Sequence, residues 1–587
     1  MSFISKFIGS LVIGVSLHSC TDNKIYTKVS EHPQTFCNPV NLDYRFMKIK
    51  GGAGIREAAD PVVVEFKGKY YLFASKSSGY WSTTDFVNWN HTIIEEAVLP
   101  IEDYAPAVFV KNDSIYFVAS TPGKATLYRS FDPESGKWDK VKDIMSYWDP
   151  AFYIENDKLY LYYGCSPVNP IYGKVLNLQT LEEESKTFEL LNSDINSHGW
   201  ERTGERNELP RHPYIEGAWM TKHNGLYYLQ YAAPGTEWKT YADGVYVGKS
   251  PLGPFVYSLN SPVSYKPTGF LGGAGHGCLF KVGDNYWKAA TNAISLRHMF
   301  ERRISFYPAG FTSDGLMYTD TYLGDYPLYL PSEKKGKPLR PDWMLLSFKK
   351  KVKTSSVHAD SNPSSLVDDE ARTAWVAKSN TKEEWVEIDL GNKATINAIQ
   401  INYDEFGANQ QGVHKGLYQS YALFASNDGK NWSMIADKRT KRTDTPHDYV
   451  EFEIPFKARY IKWQNEKYNI SENVSLREIR VFGKAEGKCP DKVGEFRVSR
   501  NPDDPCRMKV KWSPVKGAVG YIIRTGIDQD CMYHNYQVAD STHYELKGLN
   551  SDTEYYLAID SYNECGITKG NVCLLYTSPS PRDGLLS

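Results

Sequence analysis

The sequence predicts an all-β protein, and three observations support this prediction. No helical period persists anywhere along the 587 residues, whereas Gly and Pro recur at short intervals. A pattern of two short apolar strands joined by a polar turn, which is typical of a β-hairpin, appears five times. Aromatic residues make up 14% of the chain, a composition that suits β cores as well as surfaces that stack on sugar rings.

The repeated hairpin predicts the architecture of the N-terminal half. Its copies lie 44 to 67 residues apart, far enough for about four strands each, which is the sequence pattern of a propeller blade. Five copies predict a five-bladed β-propeller. The copies begin at Ala59, Tyr104, Trp148, Ile215 and Gly275.

Charged residues recur at one position of the repeat. Alignment of the copies on their second-strand aromatics puts five residues at the start of the first strand: Asp60, Ala105, Asp149, Glu216 and His276. In a propeller these positions converge on one end of the central funnel. Carboxyls held close together raise one another's pKa, so that one serves as a general acid while another stays ionised as a base. Asp-Pro also begins many ordinary turns, but its recurrence at one register favours catalysis.

The motifs Ala-Asp-Pro, Trp-Asp-Pro and Ile-Glu-Gly-Ala resemble those of glycoside hydrolase family 43 over residues 36–331. The resemblance implies that Asp60 is the general base, Glu216 the general acid and Asp149 the carboxylate that orients the acid and tunes its pKa. It implies that His276 contacts substrate near the axis and holds a water or a metal ion such as Ca²⁺. Inversion at the anomeric carbon is expected, with acid and base about 6.5–9.5 Å apart.

Further substrate-binding residues are predicted around this funnel. Trp81 and Trp148 are candidate sugar platforms, although a packing role is equally compatible with the pattern. By the same resemblance, Arg303 in the last copy would bind substrate. The polar stretch 192–213 precedes Glu216 and is expected to form a wall of the pocket, with Arg202, Arg206 and Arg211 as candidates.

The N-terminus has the features of an export signal. Residues 1–19 contain one Lys and then a short apolar run, and they end in Leu17-His18-Ser19-Cys20, which resembles a bacterial lipoprotein box. We expect Cys20 to be lipidated, residues 20–35 to form a tether, and the protein to be a lipoprotein of a bacterial cell envelope, periplasmic or surface-facing. A plain secretory signal with an incidental Cys20 is the alternative.

A charged linker at 332–342 separates the propeller from a second module, residues 343–484. Trp385-Val386-Glu387-Ile388-Asp389-Leu390-Gly391 and the strands that follow resemble a discoidin, or coagulation factor 5/8 type C, domain. This jelly-roll β-sandwich implies either a carbohydrate-binding module of the family 32 type or a structural spacer packed on the propeller. Asp368 and Asp369 fit a cation-binding loop of such domains.

The third module, residues 488–572, resembles a fibronectin type III sandwich that lacks its last strand. Four cysteines lie in this module and its approach, and the sequence does not decide how they would pair: Cys489, Cys506, Cys531 and Cys565. Residues 573–587 resemble a translated sequencing-library adapter and are excluded from the fold prediction.

The net charge and the motifs together limit the function classes that the sequence allows. A net charge of −2 gives no basic face for nucleic acid. We expect a monomer that needs no organic cofactor, with structural Ca²⁺ as the one ion implied. The substrate class is plant polysaccharide or oligosaccharide such as xylan. β-D-Xylosidase or α-L-arabinofuranosidase activity is expected, with exo-β-D-galactosidase or a non-catalytic carbohydrate-binding propeller as alternatives.

Overall fold

The computed structural model describes residues 24–50, 54–121, 123–332, 338–359 and 361–575. The helical elements of these residues are three short 3₁₀ segments, at Pro133–Ser135, Gly199–Glu201 and Pro363–Leu366. The predicted all-β class is therefore confirmed. The described part of the chain contains no helix with the length and apolarity needed to cross a membrane. The predicted signal peptide and Cys20 lie outside the described residues.

The propeller region is built from consecutive antiparallel sheets. Four short strands come first: β1 (Lys28–Val29), β2 (Thr35–Phe36), β3 (Arg45–Lys48) and β4 (Gly54–Glu57). The first sheet contains β5 (Ala59–Phe66), β6 (Lys69–Ser75), β7 (Gly79–Thr83) and β8 (Asn90–Ile93). The second contains β9 (Tyr104–Lys111), β10 (Ser114–Ser120), β11 (Ala125–Ser130) and β12 (Asp139–Ile144).

Three more sheets of this region follow in chain order. The third contains β13 (Ala151–Glu155), β14 (Lys158–Tyr163), β15 (Ile171–Asn177) and β16 (Phe188–Leu191). The fourth contains β17 (Glu216–His223), β18 (Leu226–Ala233), β19 (Ala242–Gly248) and β20 (Phe255–Tyr257). The fifth contains β21 (Gly272–Gly275), β22 (Leu279–Val282), β23 (Asn285–Ala293), β24 (Arg302–Phe311) and β25 (Met317–Thr319).

These sheets are arranged in a ring. The first strands β5, β9, β13 and β17 contact one another in succession, β19 contacts β21, and β23 returns to contact β5. Strand β2 pairs with β26 (Leu328–Tyr329), so that Thr35 faces Tyr329 and the two ends of the region are joined. Apolar side chains fill the spaces between neighbouring sheets; Val62 and Phe73 of the first sheet, for example, share a cluster with Val108 and Phe117 of the second. The ring places the starts of the first strands around one axis.

The second module forms a nine-stranded sheet that includes β1 from the N-terminal segment. Its own strands are β27 (Met344–Leu345), β28 (Lys351–Thr354), β29 (Trp375–Val376), β30 (Trp385–Tyr403), β31 (Gln419–Ser426), β32 (Ser433–Asp437), β33 (His447–Tyr468) and β34 (Ser475–Ala485).

The second module docks on the propeller through buried ion pairs. Arg477 Nη2 lies 2.5 Å from Glu301 Oε1, and Arg56 Nη1 lies 2.6 Å from Asp444 Oδ2. Phe46 exchanges backbone hydrogen bonds with Gly412. Since the module also takes β1 into its sheet, it is tied to the propeller on two sides.

The third module contains two sheets. One has β35 (Phe496–Arg500), β36 (Met508–Trp512) and β39 (His543–Leu546). The other has β37 (Gly520–Gly526), β38 (His534–Val538), β40 (Tyr555–Asn563), β41 (Gly566–Thr568) and β42 (Cys573–Leu575). Strand β42 therefore includes the first three of the fifteen residues that the sequence analysis set apart. The Cys489 thiol donates to the carbonyl oxygen of Cys565 across 3.7 Å, so these two of the four cysteines are neighbours.

Part of the stretch 192–213 packs against the third module, and its role as a wall of the pocket stays a prediction. Arg202 Nη1 lies 2.6 Å from Asp504 Oδ2, and Arg206 donates to the carbonyl oxygen of Glu545. Trp200 is fully buried in a cluster shared by the fourth sheet and the third module. These contacts make the stretch an interface between modules.

Candidate active site

A residue with left-handed backbone lies near the start of one strand in each sheet of the ring. The residues in this conformation are Asp60 (φ 53°), Ala105 (φ 43°), Asp149 (φ 48°), Gly217 (φ 59°) and His276 (φ 36°). Left-handed backbone is costly for residues with a Cβ and is found where the surroundings enforce it, often at functional sites. Four of the five residues are those that the sequence alignment placed together.

The fourth sheet departs from that alignment by one residue. Its left-handed residue is Gly217, and Glu216 pairs with Ala232 as Ala59 pairs with Ser75 in the first sheet. A Cβ on Gly217 would lie 2.6 Å from the His276 ring, so glycine is needed there for both conformation and space. Glu216 therefore reaches the site from the position just before the one shared by Asp60 and Asp149.

Hydroxyl side chains fix these turns to their neighbours. Ser75 Oγ accepts from the amide of Ala105 at 2.7 Å, and Ser120 Oγ accepts from the amide of Asp149 at 2.8 Å. Thr291 Oγ1 accepts from the amide of Asp60 at 2.8 Å and closes the ring between the fifth and first sheets. Ser75 also donates to Asp60 Oδ2 at 2.5 Å. The hydroxyls thus hold two of the carboxylates in register.

Asp60 is buried but remains suited to be ionised. Burial alone would raise its pKa, but the positive charges of Arg302 and His276, with the Ser75 hydroxyl, hold the pKa of Asp60 below its ordinary value. Arg302 Nη1 lies 3.5 Å from Asp60 Oδ1, and Arg302 Nη2 lies 2.7 Å from Glu57 Oε1. A buried carboxylate of this kind can accept a proton from water.

His276 lies between two carboxylates. Its Nδ1 is 3.3 Å from Asp60 Oδ1 and 3.9 Å from Asp149 Oδ2. Burial lowers the pKa of His276, but Asp60, Asp149 and Glu216 together raise the pKa above its ordinary value, which favours the imidazolium. Calcium prefers six to eight oxygen ligands. His276 offers one nitrogen beside the carboxylates of Asp60 and Asp149, and the Ca²⁺ ion that the resemblance implies stays a prediction.

Asp149 and Glu216 form a close pair of carboxyl groups. Ligand atoms of Asp149, Glu216 and Cys165 all lie within 4.8 Å of one another. Burial raises the pKa of Asp149 to about 7. The charge of His276 lowers this pKa, whereas the charges of Glu216 and Asp60 raise it. The pair therefore retains a proton close to neutral pH, as a general acid must.

Two donors hold the carboxyl group of Glu216. Tyr241 Oη donates to Oε1 at 2.5 Å, and Cys165 Sγ donates to Oε2 at 3.1 Å. The segment around Cys165 also joins the third and fourth sheets, since the Gly164 amide bonds the Trp148 carbonyl and Ser166 exchanges backbone bonds with Ile215. Cys165 thus lies between the residues that precede Asp149 and Glu216.

Two predicted substrate-binding residues lie elsewhere. Trp81 is fully buried, stacks on His91 and donates from Nε1 to Asp43 at 2.7 Å, so its packing role is the correct one. Arg303 is also fully buried and points to the second module, where its Nη2 lies 3.1 Å from Glu405 Oε1. Successive residues of a strand face opposite sides, and Arg302 faces the site instead.

Trp148 keeps its predicted position beside the site. It directly precedes Asp149 and its side chain is 49% exposed, so a ligand can reach the ring. Its role as a sugar platform stays a prediction. Asp369, which was a candidate cation ligand, instead lies 3.0 Å from Arg480 Nη2 in a buried ion pair.

Several residues of the site were not predicted. Arg302, Tyr241, Cys165 and the three hydroxyl residues are contributed by later strands and loops of the sheets. Ser75 and Ser120 occupy matching ends of their second strands, a repeat that the alignment could have revealed. Tyr241 and Cys165 show no such repeat, because each contacts Glu216 from a different part of the chain.

Comparison with known proteins identifies two of the modules. The model of glycosyl hydrolases family 43 matches residues 55–317, and that of the F5/8 type C domain matches residues 351–479. Among curated proteins, lactadherin from Rattus norvegicus is 31% identical over 103 residues, which cover 16% of this chain and 23% of lactadherin. Lactadherin from Mus musculus is 30% identical over 103 residues, covering 16% and 21%. The chain thus spans less than a quarter of the length of these relatives.

Solved structures with similar folds include glycosidases. A structure described as "Glycoside hydrolase" has a TM-score of 0.42 and 19% identity, covering 72% of this chain and 97% of its own. A thermostable family-43 glycoside hydrolase has a TM-score of 0.39 and 20% identity, with coverage of 50% and 100%. Xylan beta-1,4-xylosidase from Bacillus halodurans C-125 has a TM-score of 0.40 and 15% identity, with coverage of 76% and 100%.

The family matches fall on the parts of the chain that hold the carboxyl site and the nine-stranded sheet. This protein therefore contains a glycoside hydrolase domain of family 43, to which an F5/8 type C domain is joined.

Proposed function

We propose that the protein hydrolyses O-glycosidic bonds with inversion at the anomeric carbon. The observation that carries this proposal is the contrast between the carboxyl groups. Arg302 favours the ionised form of Asp60, whereas the buried pair of Asp149 and Glu216 retains a proton near neutral pH. A base and an acid are thereby present together in one site at the same pH.

In the proposed reaction a water molecule attacks the anomeric carbon while the bond to the leaving oxygen breaks. Asp60 accepts a proton from that water, and Glu216 donates a proton to the leaving oxygen. Asp149 lies against Glu216 and keeps the proton on the pair until it is delivered. His276 and Arg302 hold Asp60 in place through charge, and Tyr241 orients Glu216.

The proposed substrates are β-D-xylosides or α-L-arabinofuranosides of plant polysaccharides, with β-D-galactosides as the alternative. One structure with a similar fold is a xylan beta-1,4-xylosidase, and another is an alpha-L-arabinofuranosidase. The exposed ring of Trp148 beside Asp149 gives a stacking surface for a sugar. Any binding of glycan by the F5/8 type C domain is part of this proposal.

The test is hydrolysis of aryl β-xyloside, α-arabinofuranoside and β-galactoside, with NMR detection of the anomer formed first. Glu216→Gln and Asp60→Asn should each lower kcat by about 10²–10⁴, since each removes a general acid or base. Glu65→Gln is the matched control, because Glu65 is an exposed carboxylate on the same strand as Asp60. Retention of configuration, or full activity in Glu216→Gln, would contradict the proposed mechanism.

We also propose export and attachment to a membrane through a lipid on Cys20, with the protein acting as a monomer in the cell envelope. The sequence Leu17-His18-Ser19-Cys20 after an apolar run supports this. Cys20→Ser should move the protein from the membrane fraction to the soluble fraction. Unchanged membrane fractionation of Cys20→Ser would contradict lipid attachment.

A further inference from the structure

The two donors that hold Glu216 differ in strength. Tyr241 is a phenol 2.5 Å from Oε1, whereas Cys165 offers a thiol, which is a weak donor and a weak acceptor, at 3.1 Å from Oε2. Both oxygens of an ionised carboxylate accept hydrogen bonds. When the carboxyl is protonated, the oxygen that carries the proton becomes the poorer acceptor, so the hydrogen bond from one of the two donors weakens.

We infer that Tyr241 is a positioning residue that decides which oxygen of Glu216 carries the proton, and that the weak Cys165 thiol leaves the other oxygen free to carry it. The proton resides on Oε2, beside the thiol, and Oε1 stays the acceptor of the Tyr241 hydroxyl. This inference rests on the proposed function, because it assigns the atom from which the general acid donates.

The reason is the cost of losing each hydrogen bond. Tyr241 is buried with 1% of its surface exposed, so a hydroxyl without an acceptor there would lose its hydrogen bond with no water to replace it. A thiol loses little when it is displaced from an oxygen, since it behaves as a small apolar group. Burial and the nearby charges of Asp149 and Glu216 raise the pKa of Cys165 far above its ordinary value, so the thiol does not ionise or take the proton itself.

The position of Cys165 agrees with this assignment. The flanking residues Gly164 and Ser166 bond the backbone before Asp149 and before Glu216, so the thiol is held at the junction of the two carboxyl groups. Asp149 lies close by, since its ligand atom is within 4.8 Å of those of Cys165 and Glu216. The thiol that contacts Oε2 is therefore next to the partner with which Glu216 shares its proton.

The inference predicts an unusual order of effects at Cys165. Cys165→Ala should retain kcat within about threefold, because the thiol contributes little to Oε2. Cys165→Ser should lower kcat about tenfold on aryl glycosides with poor leaving groups, since a hydroxyl donates a stronger hydrogen bond to Oε2 and stabilises the ionised form. Tyr241→Phe should lower kcat at least as much. With a dinitrophenyl leaving group, which needs no protonation, Cys165→Ser and Tyr241→Phe should lose much less kcat than with poor leaving groups.

If the Cys165 thiol acted as a necessary hydrogen-bond donor to Glu216, the order would be opposite. Cys165→Ala would then have a low kcat, and Cys165→Ser would keep the kcat of the wild type. That order would overturn the inference. Equal loss on good and poor leaving groups would also overturn it, because the effect would then not concern the proton.

A second measurement does not depend on turnover. Infrared difference spectra between acidic and alkaline pH contain the C=O band of protonated Glu216, which is identified by its absence in Glu216→Gln. The band should move to higher wavenumber in Tyr241→Phe and stay in place in Cys165→Ala. A shift in Cys165→Ala alone would place the proton on Oε1 and overturn the inference. If the wild type cleaves no glycoside while the bands behave as expected, the proposed function fails and the assignment of the proton stands.

Discussion

Arg302 and Arg303 are neighbours in β24, and their guanidinium groups face opposite sides of the fifth sheet. Arg302 lies 3.5 Å from Asp60 in the candidate active site, and Arg303 lies 3.1 Å from Glu405 in the F5/8 type C domain. A single strand thus connects the candidate base to the neighbouring domain. Both arginines are buried in ion pairs, so their substitution should separate chemistry from domain docking.

Substitution of Arg302 should impair the base. In Arg302→Met the pKa of Asp60 should rise, because the charge that holds it low is removed. A base with a raised pKa is ionised only at higher pH, so the acidic limb of the kcat/KM profile should move to higher pH. The measurement is that profile, with the midpoint of thermal unfolding recorded in parallel.

Arg303→Met is the matched control for Arg302→Met. It removes one of the arginines that contact Glu405 at the domain interface, but Arg56 at 3.0 Å and Arg477 at 3.5 Å remain. The unfolding free energy should therefore fall by less than the about 3–5 kcal/mol that the loss of a sole buried partner costs. The acidic limb of its kcat/KM profile should have the same midpoint pH as that of the wild type. If both variants shift the limb equally, Arg302 has no specific effect on Asp60.

Replacement of Gly217 should displace His276. The added Cβ of Gly217→Ala would lie 2.6 Å from the His276 ring, and the ring would have to move from between Asp60 and Asp149. We expect kcat to fall by about 10² or more. Gly225→Ala is the control, since Gly225 also has a positive φ of 81° but has nothing within 4 Å of an added Cβ. It should lose stability through backbone strain and keep kcat; a similar fall in kcat for both would refute the displacement.

The two tryptophans should respond differently to substitution. Trp81→Ala removes a fully buried side chain and should cost about 3–5 kcal/mol in unfolding free energy. Trp148→Ala removes a ring that is 49% exposed and should leave stability nearly unchanged while raising KM. Chemical denaturation and steady-state kinetics measure the two effects. An unchanged KM in Trp148→Ala would remove this residue from the substrate site.

Asp149 should make the fold less stable as pH rises. Its pKa in the folded protein is about 7, above the value of 3.8 for a free side chain, so the folded state binds the proton more tightly. Unfolding free energy therefore falls between about pH 4 and pH 7, because the unfolded chain binds fewer protons in this window. Asp149→Asn removes that dependence and should raise the unfolding temperature at pH 8 relative to the wild type.

The same variant should lose activity, because the amide cannot share a proton with Glu216. The measurement is thermal unfolding of Asp149→Asn and wild type from pH 5 to pH 8. If the unfolding temperature of the wild type falls with pH no faster than that of Asp149→Asn, then Asp149 is ionised at neutral pH.

Much of the fold could be predicted from the sequence because its signals are local. Alternating apolar residues and polar turns are properties of a few consecutive residues, and they repeat in each sheet. The Asp-Pro pairs at Asp60 and Asp149 begin strands in the same way, so their common place at the axis followed from the repeat. His276 and the carboxyl of Glu216 were also correctly brought to this end of the ring.

The remaining features depend on contacts between distant parts of the chain. Glu216 lies one residue before the position that matches Asp60, although β5 and β17 carry a bulge at the same place, and the aromatic residues used for alignment do not record this offset. Side chains alternate between the two faces of β24, so Arg302 and Arg303 lie on opposite faces. This alternation does not reveal which of the two faces contacts the active site. Cys165 approaches Glu216 from a loop, and Tyr241 from the position just before β19.

The sequence by itself therefore determined the all-β class, the repeated hairpin and the residue types of the candidate active site, since these are determined by neighbours in the chain. Only the tertiary structure decided which arginine faces Asp60, which donors hold Glu216 and how the modules dock. The physical reason is that burial, charge and hydrogen-bond geometry at the site arise where separate sheets meet.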